Sequence, residues 1–276
     1  MKESSTSVSD LIAVCISRQI VDGELVAQGI ATPTIAAGIL LAKLTHAPNI
    51  TFISAIGQAV CQDWAPLGLA TIESLWIEKG IYTVGMVKAA TDLLPQLAPK
   101  EFFRPGQVDA YGNFNNIYIG GSYEKPRLRL PGSGGIPDVT VYSDKVYLYV
   151  PRHGRHTLVD TIDFKSGLGH DSKREKGSGP RYLVSDLGQF DFEESSGRMR
   201  ILSLHPGITL ARVQAKTGFD LVVPDHIPVT ELPTQEELNL LEHEIDPLGI
   251  RSLETLAGHR RKEELRRILL LELDSN

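Results

Sequence analysis

The stretch Leu130-Pro131-Gly132-Ser133-Gly134-Gly135-Ile136-Pro137-Asp138 constrains this chain most. Three glycines in four residues, opened and closed by prolines, cannot form an ordinary helix or a central strand. Glycine adopts positive φ without strain and lets a ligand come close to bare N–H groups. The stretch can therefore build a nest of donors for an anion or for the oxygen of a polarised carbonyl. Taken alone, nine such residues fit a plain glycine-rich surface turn better than a site. The residues that follow strengthen the case for a site. Val139-Thr140-Val141-Tyr142 and Lys145 to Val150 are β-branched and aromatic runs of strand length, separated by Ser143-Asp144. They predict that the loop leads straight into sheet core, where its backbone is held rigid.

The 276 residues are 42% hydrophobic and 22% charged, enough to build one large α/β domain or one domain plus an appendage. A net charge of −6 argues against a nucleic-acid or anionic-membrane surface, which needs a basic balance. Cys15 and Cys61 fall inside apolar periodic segments, so they read as buried free thiols rather than as a disulfide or a metal site. Met1 to Asp10 is polar and lacks the apolar core of a signal peptide. The longest apolar stretch, Ile30 to Leu44, is too short and too interrupted to span a bilayer. These features predict a cytoplasmic protein with no membrane and no nucleic-acid partner.

Ser7 to Asp10 has the chemistry of a helix start. A strand over Glu24 to Gly29, a buried helix over Thr34 to Leu44 opened by Pro33, and a strand over Ile50 to Ala55 follow in order. Strand, helix, strand implies a parallel sheet. Val108 to Asn115 contains a tight turn, and Asn113 and Asn115 either serve that turn alone or point amides into a site. His153 and His156 have a spacing that invites a metal. No acid or cysteine lies near them in sequence and Gly154 separates them, so they read as a basic loop at a strand end with no metal. Tyr182 to Leu187 and Phe190 to Phe192 read as a hairpin, and Thr209 to Thr217 as a helix. The tail from Gln235 onward is helical, and Leu265, Ile268, Leu269 and Leu273 lie on one face of its last helix. The chain carries no Gly-x-Ser-x-Gly elbow, no Walker loop and no dinucleotide fingerprint after a strand.

Five segments together resemble the small (β) subunit of family I CoA-transferases, typified by that of glutaconate CoA-transferase. They are Gly29-Ile30-Ala31-Thr32-Pro33, Val108 to Asn115, Pro131 to Asp138, Ser185 to Phe192, and His205 to Thr209. The likeness runs from about Leu11 to Asp246. It implies an open, mostly parallel α/β sheet flanked by helices over residues 1–246, followed by a C-terminal amphipathic helical extension over 247–276. It also implies an α subunit as partner, an active site at the subunit interface, and an acyl-CoA thioester as substrate, with no cofactor beyond the coenzyme A of that substrate. Gly134 and Gly135 are then expected to polarise the thioester carbonyl through their N–H groups. Ser54, Gln58, Asn113, Asn115, Gly132, Ser133 and Ile136 are the expected substrate and CoA contacts.

The sequence departs from the family at one point. In true transferases a glutamate at the end of the second strand attacks the thioester and carries CoA covalently. The matching segment here is Ile53-Ser54-Ala55-Ile56-Gly57-Gln58, where the glutamate position falls at Ala55 or Ile56. Two branches resemble the chain in lacking that residue: the steroid ring-cleaving hydrolases and a glutaconyl-CoA decarboxylase. Arg18-Gln19-Ile20, Asp22-Gly23 and Thr45-His46-Ala47-Pro48 look closest to the β subunit of the decarboxylase. That branch carries a cysteine near the lost glutamate, whereas here the nearest, Cys61, lies several residues further on. The resemblance thus favours C–C hydrolysis or decarboxylation. The alternatives are a true transferase using Glu73 or Glu78, and a non-catalytic subunit that completes its partner's CoA site.

Overall fold

Ser7 sets the first helix. Its Oγ accepts the Asp10 N–H at 3.2 Å while Asp10 Oδ2 accepts the Ser7 N–H at 2.9 Å. This reciprocal cap starts α1 (Val8–Ser17), which is buried from Ser9 to Ser17. The computed structural model describes residues 6–29, 32–54, 59–70 and 76–274. The chain forms two compact units, one of residues 1–88 with 232–276 and one of residues 89–231.

In the first unit, β1 (Leu25–Gln28) lies parallel to β2 (Thr51–Ser54), with Val26 beside Phe52, and α2 (Pro33–Leu44) connects them. Pro33 occupies the first turn of α2, where its missing N–H costs nothing. A Cβ on Gly38 would stand 2.6 Å from Ile16 Cγ2 and 2.7 Å from the Ala13 carbonyl oxygen. Glycine at 38 therefore sets how closely α2 approaches α1. Strands β3 (Ala59–Cys61) and β4 (Gly80–Thr83) continue the sheet antiparallel to β2. Cys15 and Cys61 are free and buried, as their apolar setting predicts.

The C-terminal segment, residues 232–276, belongs to this first unit. A 3-10 turn, Ile250–Glu254, buries Arg251 and Glu254. Glu254 Oε2 accepts the Thr34 N–H at 3.0 Å and so caps α2 from the far end of the chain. The last helix, Gly258–Asp274, sends Glu272 to the backbone N–H groups of Leu69 and Ala70 at 2.9 and 2.8 Å.

In the second unit, strands β5 (Lys100–Phe103), β10 (Val146–Val150) and β11 (Pro180–Ser185) are parallel, while β12 (Gly188–Phe192) and β13 (Met199–Leu204) turn back antiparallel as the hairpin pattern predicts. Their order across the sheet is β13-β12-β11-β10-β5. Within this unit the sheet is thus parallel over β5, β10 and β11 and antiparallel over β12 and β13. Two small hairpins, β6 (Gln107–Val108) with β7 (Phe114–Asn115) and β8 (Tyr118–Gly121) with β9 (Pro126–Arg129), lie between β5 and the glycine loop in the chain. Phe103, Phe114, Leu148, Leu183 and Phe190 are among the core residues.

One expectation is overturned here. Residues 139–142 are the end of a helix, α3 (Ile136–Tyr142), rather than a strand. Pro137 is placed at its first turn, and Ile136, Val139 and Thr140 are the buried residues. That spacing, i, i+3, i+4, is a helical face. Burial of that face outweighs the β preference of Val139, Thr140 and Val141.

Candidate functional site

The glycine loop is pinned at both ends and open between them. At its start, Leu130 N–H donates to the Ile117 carbonyl at 3.0 Å and Gly132 N–H to the Asn116 carbonyl at 2.9 Å. At its end, Ile136 N–H donates back to the Ser133 carbonyl at 3.0 Å, while Ile136 and Val139 enter the core. Thr140 Oγ1 donates to the Ile136 carbonyl at 2.8 Å and accepts the Leu168 N–H at 3.0 Å. Arg174 reaches the carbonyls of Thr140, at 2.6 Å, and Gly169, at 2.9 Å, and so fastens the other end of α3.

Between these anchors Gly132 has φ +113° and Gly134 has φ +52°, both in the left-handed region that other residues avoid. Gly135 follows at φ −82° and ψ 5°. A positive φ followed by a negative one is the sign pattern of backbone nests, in which successive N–H groups converge on an anion. Neither the Gly134 nor the Gly135 N–H group meets an acceptor among the described residues. A Cβ built on Gly132, Gly134 or Gly135 would meet no atom within 4 Å. The loop is thus fixed at both ends and carries two N–H groups without an acceptor among the described residues. Helix α3 leads into β10, which runs parallel to β5. The start of α3, and the glycine loop with it, therefore belongs to the carboxyl end of β5, the ligand-binding end of open α/β sheets.

The two asparagines singled out from the sequence are occupied within this unit. Asn115 Nδ2 donates to Gln107 Oε1 at 2.7 Å and to the Tyr118 carbonyl at 2.6 Å, and its Oδ1 accepts the Ile117 N–H at 2.9 Å. Asn113 Nδ2 donates to Asp109 Oδ2 at 2.9 Å, and Asn113 Oδ1 accepts the Gly169 N–H at 3.0 Å. Their amides brace the loops that carry the site, which is the turn role the sequence leaves open. Burial pushes the Asp109 carboxyl up, against its bonds from Asn113 and Tyr111.

Asn116 and Ser166 escape a reading of the sequence. Asn116 receives Gly132 on its carbonyl, accepts the Gly106 N–H on Oδ1 at 2.7 Å, and donates to the Arg104 carbonyl at 3.1 Å. Ser166 Oγ accepts the Asn116 N–H at 2.9 Å. The signal available is the pair Asn115-Asn116 in a turn, without a way to tell which residue faces the loop.

In the other unit, Ser54 ends β2 fully buried, with Gln28 of β1 and Ala59 of β3 beside it. Thr32 Oγ1 donates to the Gly29 carbonyl at 3.1 Å and lies 3.4 Å from Gln28 Oε1. Gln28 and Ser54 at the ends of the two parallel strands, and Thr32 before α2, are buried polar residues. Ala55, Ile56 and Gln58, along with Glu73, lie outside the described residues. Glu78 is exposed.

The two histidines of the basic loop part company. His153 is buried, with Nδ1 2.9 Å from Ser185 Oγ and Nε2 2.9 Å from Thr217 Oγ1. Burial pushes its pKa down to about 3, and Lys216 adds to the effect. His156 instead lines an open groove of about 440 Å³ beside the β8–β9 hairpin.

A family model described as Coenzyme A transferase matches residues 10–216. The chain is 30% identical to the B subunit of 3-oxoadipate CoA-transferase from Pseudomonas knackmussii, over 86% of this chain and 93% of that protein. It is 29% identical to the cholesterol ring-cleaving hydrolase IpdB subunit of Rhodococcus jostii, over 84% of this chain and 89% of that one. The crystal structure of the decarboxylase AibA/AibB superposes with a TM-score of 0.78 at 28% identity, covering 91% of this chain and 99% of the matched chain.

Proposed function

Because the chain belongs to the coenzyme A transferase family, we propose that it is the β subunit of a heteromeric enzyme acting on an acyl-CoA thioester, and that its reaction is C–C cleavage, by hydrolysis or decarboxylation, rather than CoA transfer. The observation that carries this reading is the pair of unspent N–H groups at Gly134 and Gly135 on a braced, open loop. Cleaving a C–C bond conjugated with a thioester sends the bonding electrons onto the thioester oxygen as an enolate. Two preorganised donors stabilise that oxygen more than the neutral carbonyl, and such a difference lowers the barrier. In decarboxylation carbon dioxide leaves and a proton returns to carbon. In hydrolysis water adds to a ketone carbon, the C–C bond breaks, and the same proton balance closes the step. No nucleophile on this chain is needed in either case. The segment Ala55-Ile56-Gly57-Gln58 supplies none, since it holds no carboxylate and no thiol.

The acid/base group and the rest of the site are assigned to an α subunit, as the subunit names of the similar proteins suggest. The test is co-production with a family α subunit and mass spectrometry of candidate acyl-CoA thioesters incubated with the complex. Loss of carbon dioxide or gain of water, without exchange of CoA onto acetate or succinate, supports the reading. CoA exchange with a trapped glutamyl thioester on this chain overturns it in favour of a transferase. Full turnover after the glycine loop is rebuilt would make the chain a scaffold for its partner's site.

A further inference from the structure

Arg174 is half-buried in a stretch whose neighbouring residues, 171–173 and 175–176, are exposed. Its guanidinium meets only carbonyl oxygens among the described residues. Nε donates to Lys176 at 3.2 Å, Nη1 to Leu168 at 3.2 Å and Gly169 at 2.9 Å, and Nη2 to Thr140 at 2.6 Å and Val141 at 3.4 Å. An arginine that spends its fork on backbone, with no carboxylate bonded to it, works as a clamp rather than as half of an ion pair.

The clamp has two jaws. Thr140 and Val141 belong to the last turn of α3. A helix leaves its last carbonyls without donors of its own, and a cation there also meets the negative pole of the helix. The other jaw, Leu168 and Gly169, is held by the turn that carries Asp109 and Asn113. The Gly169 N–H donates to Asn113 Oδ1 at 3.0 Å, and the His170 N–H donates to the Tyr111 carbonyl at 2.7 Å. A Cβ on Gly169 would run into the Tyr111 carbonyl and the Asn113 nitrogen, so the two segments touch backbone to backbone. Gly177 completes the clamp. It has φ +65°, and a Cβ there would run into Arg174 Nη2 and stand 2.7 Å from the Ser143 carbonyl oxygen.

Helix α3 has seven residues, about 10 Å of rise, and opens directly on Gly135. Ile136 and Val139 hold its first turns in the core. With that end as a pivot, a tilt at the clamped end reappears at the N–H groups of Gly134 and Gly135, because so short a helix moves as one piece. We propose that Arg174 is a positioning residue for the reaction, which fixes through α3 the direction of the Gly134 and Gly135 N–H groups. This inference rests on the acyl-CoA reading of the glycine loop and extends it from the groups that touch the substrate to the group that aims them. It also gives the Asp109–Asn113 turn and the polar stretch after Gly169 a shared task, as the anvil and the arm of one clamp.

The test uses the complex with a family α subunit and follows turnover of the acyl-CoA thioester it cleaves. Arg174→Met is expected to lower kcat by roughly 10²-fold, the cost of an ångström-scale misplacement, with KM held within about twofold. Methylguanidinium below denaturing concentrations should restore part of that kcat in Arg174→Met and none in Gly134→Ala, because only the first variant keeps the loop intact beside an empty clamp. Gly177→Ala keeps the charge but displaces the guanidinium, so it should reproduce the loss of kcat, and it decides the matter if Arg174→Met does not assemble. Amide exchange over residues 139–143 should accelerate in both variants. A lower melting temperature with parental kcat per folded complex in both variants overturns the role of Arg174 and leaves the reading of the loop standing. A parent complex that cleaves no acyl-CoA thioester, with exchange still accelerated in the variants, overturns the reading of the loop and with it the reaction assigned to Arg174.

Discussion

Arg251 Nε donates to Asp10 Oδ1 at 2.9 Å, joining residues 241 apart in the chain. The same guanidinium donates through Nη1 to Asp246 Oδ2 at 2.9 Å, and all three side chains are buried. Asp246 in turn accepts the N–H groups of Ile250 and Arg251 at 2.8 and 2.9 Å. One cation thus ties the capping carboxylate of α1 to the turn that begins the C-terminal segment. Removing it leaves two buried carboxylates unpaired. Arg251→Leu is expected to destabilise the protein by about 3–5 kcal/mol, the usual consequence of breaking a buried pair from one side. Urea unfolding checks this, and a loss below about 1 kcal/mol would mean that the two acids find other partners.

A second link from the C-terminal helix is a carboxylate on bare backbone. Glu272 spends its two oxygens on the N–H groups of Leu69 and Ala70. Glu272→Gln keeps the shape, removes the charge, and replaces one acceptor with a donor that faces a donor. A cost of roughly 1.5–3 kcal/mol is expected, the range for hydrogen bonds to a charged group. Amide exchange at Leu69 and Ala70 should accelerate while exchange within β10 stays the same.

What the sequence makes legible is what local chemistry decides. The Ser7 cap, the Pro33 start of α2, the parallel pair β1 and β2, and the Asp109 turn each follow from a few adjacent residues. Helix α3 cannot be read that way, because Val139-Thr140-Val141 carries strand propensity and only burial of Ile136, Val139 and Thr140 on one face decides the matter. The last helix is legible as an amphipathic element, but what it docks on is not, for a similar reason. The attachment of the C-terminal segment depends on Arg251, Glu254 and Glu272 meeting residues some two hundred positions away, and no period or motif announces such pairs. Within the site, the glycine loop is legible from composition, while Asn116, which holds it, depends on a contact with Gly132 made through its own backbone carbonyl.

The buried histidines predict acid sensitivity. His153 has its pKa pushed down to about 3 by burial, and burial also lowers His205, whose ring nitrogens face Thr230 Oγ1 and the Ser185 carbonyl at 2.9 and 2.8 Å. The unfolded chain takes up these protons near the ordinary histidine value while the folded chain does not. Their contribution is therefore whole above about pH 6.5 and is lost as pH falls below it, for His153 down to about 3. Each such group steepens the loss by up to about 1.4 kcal/mol per pH unit. His153→Gln, measured by urea unfolding at pH 7 and pH 5, should reduce the difference between the two. An unchanged difference would mean that His153 is protonated in the native state.

Glu101 predicts the opposite sign. It is buried on β5, its Oε2 has no hydrogen-bond partner, and burial pushes its pKa up to about 7. The folded state holds this proton where the unfolded chain has released it, so stability is lost as pH rises from the ordinary carboxyl range through 7. Glu101→Gln should be as stable as the parent at pH 4.5 and about 3 kcal/mol more stable at pH 8. Tyr142 offers a second readout. Its phenol is pushed up to about 12, by burial first and then by the charges of Glu101 and Asp138. Ultraviolet titration of the variant should find a tyrosine that ionises at lower pH than in the parent.

Gly134 and Gly135 separate backbone strain from chemistry. Both have open space where a Cβ would stand, but only Gly134 sits at positive φ. Gly134→Ala must therefore hold a left-handed conformation, at about 1–2 kcal/mol, or let the loop relax and misdirect its N–H groups. Gly135→Ala keeps an ordinary conformation and should match or slightly exceed the parent in stability, because alanine narrows the unfolded ensemble. If the loop is architecture alone, Gly135→Ala should retain both assembly with an α subunit and turnover. If its N–H groups hold the thioester oxygen, a methyl group beside that oxygen should lower kcat by roughly 10²–10³, the scale seen for loss of one oxyanion donor, while assembly and melting temperature stay unchanged. Gly134→Ala should lose turnover and stability together. A Gly135→Ala enzyme with parental kcat would take the oxyanion role away from this loop, because the one variant that crowds the site without straining the chain would have left the chemistry untouched.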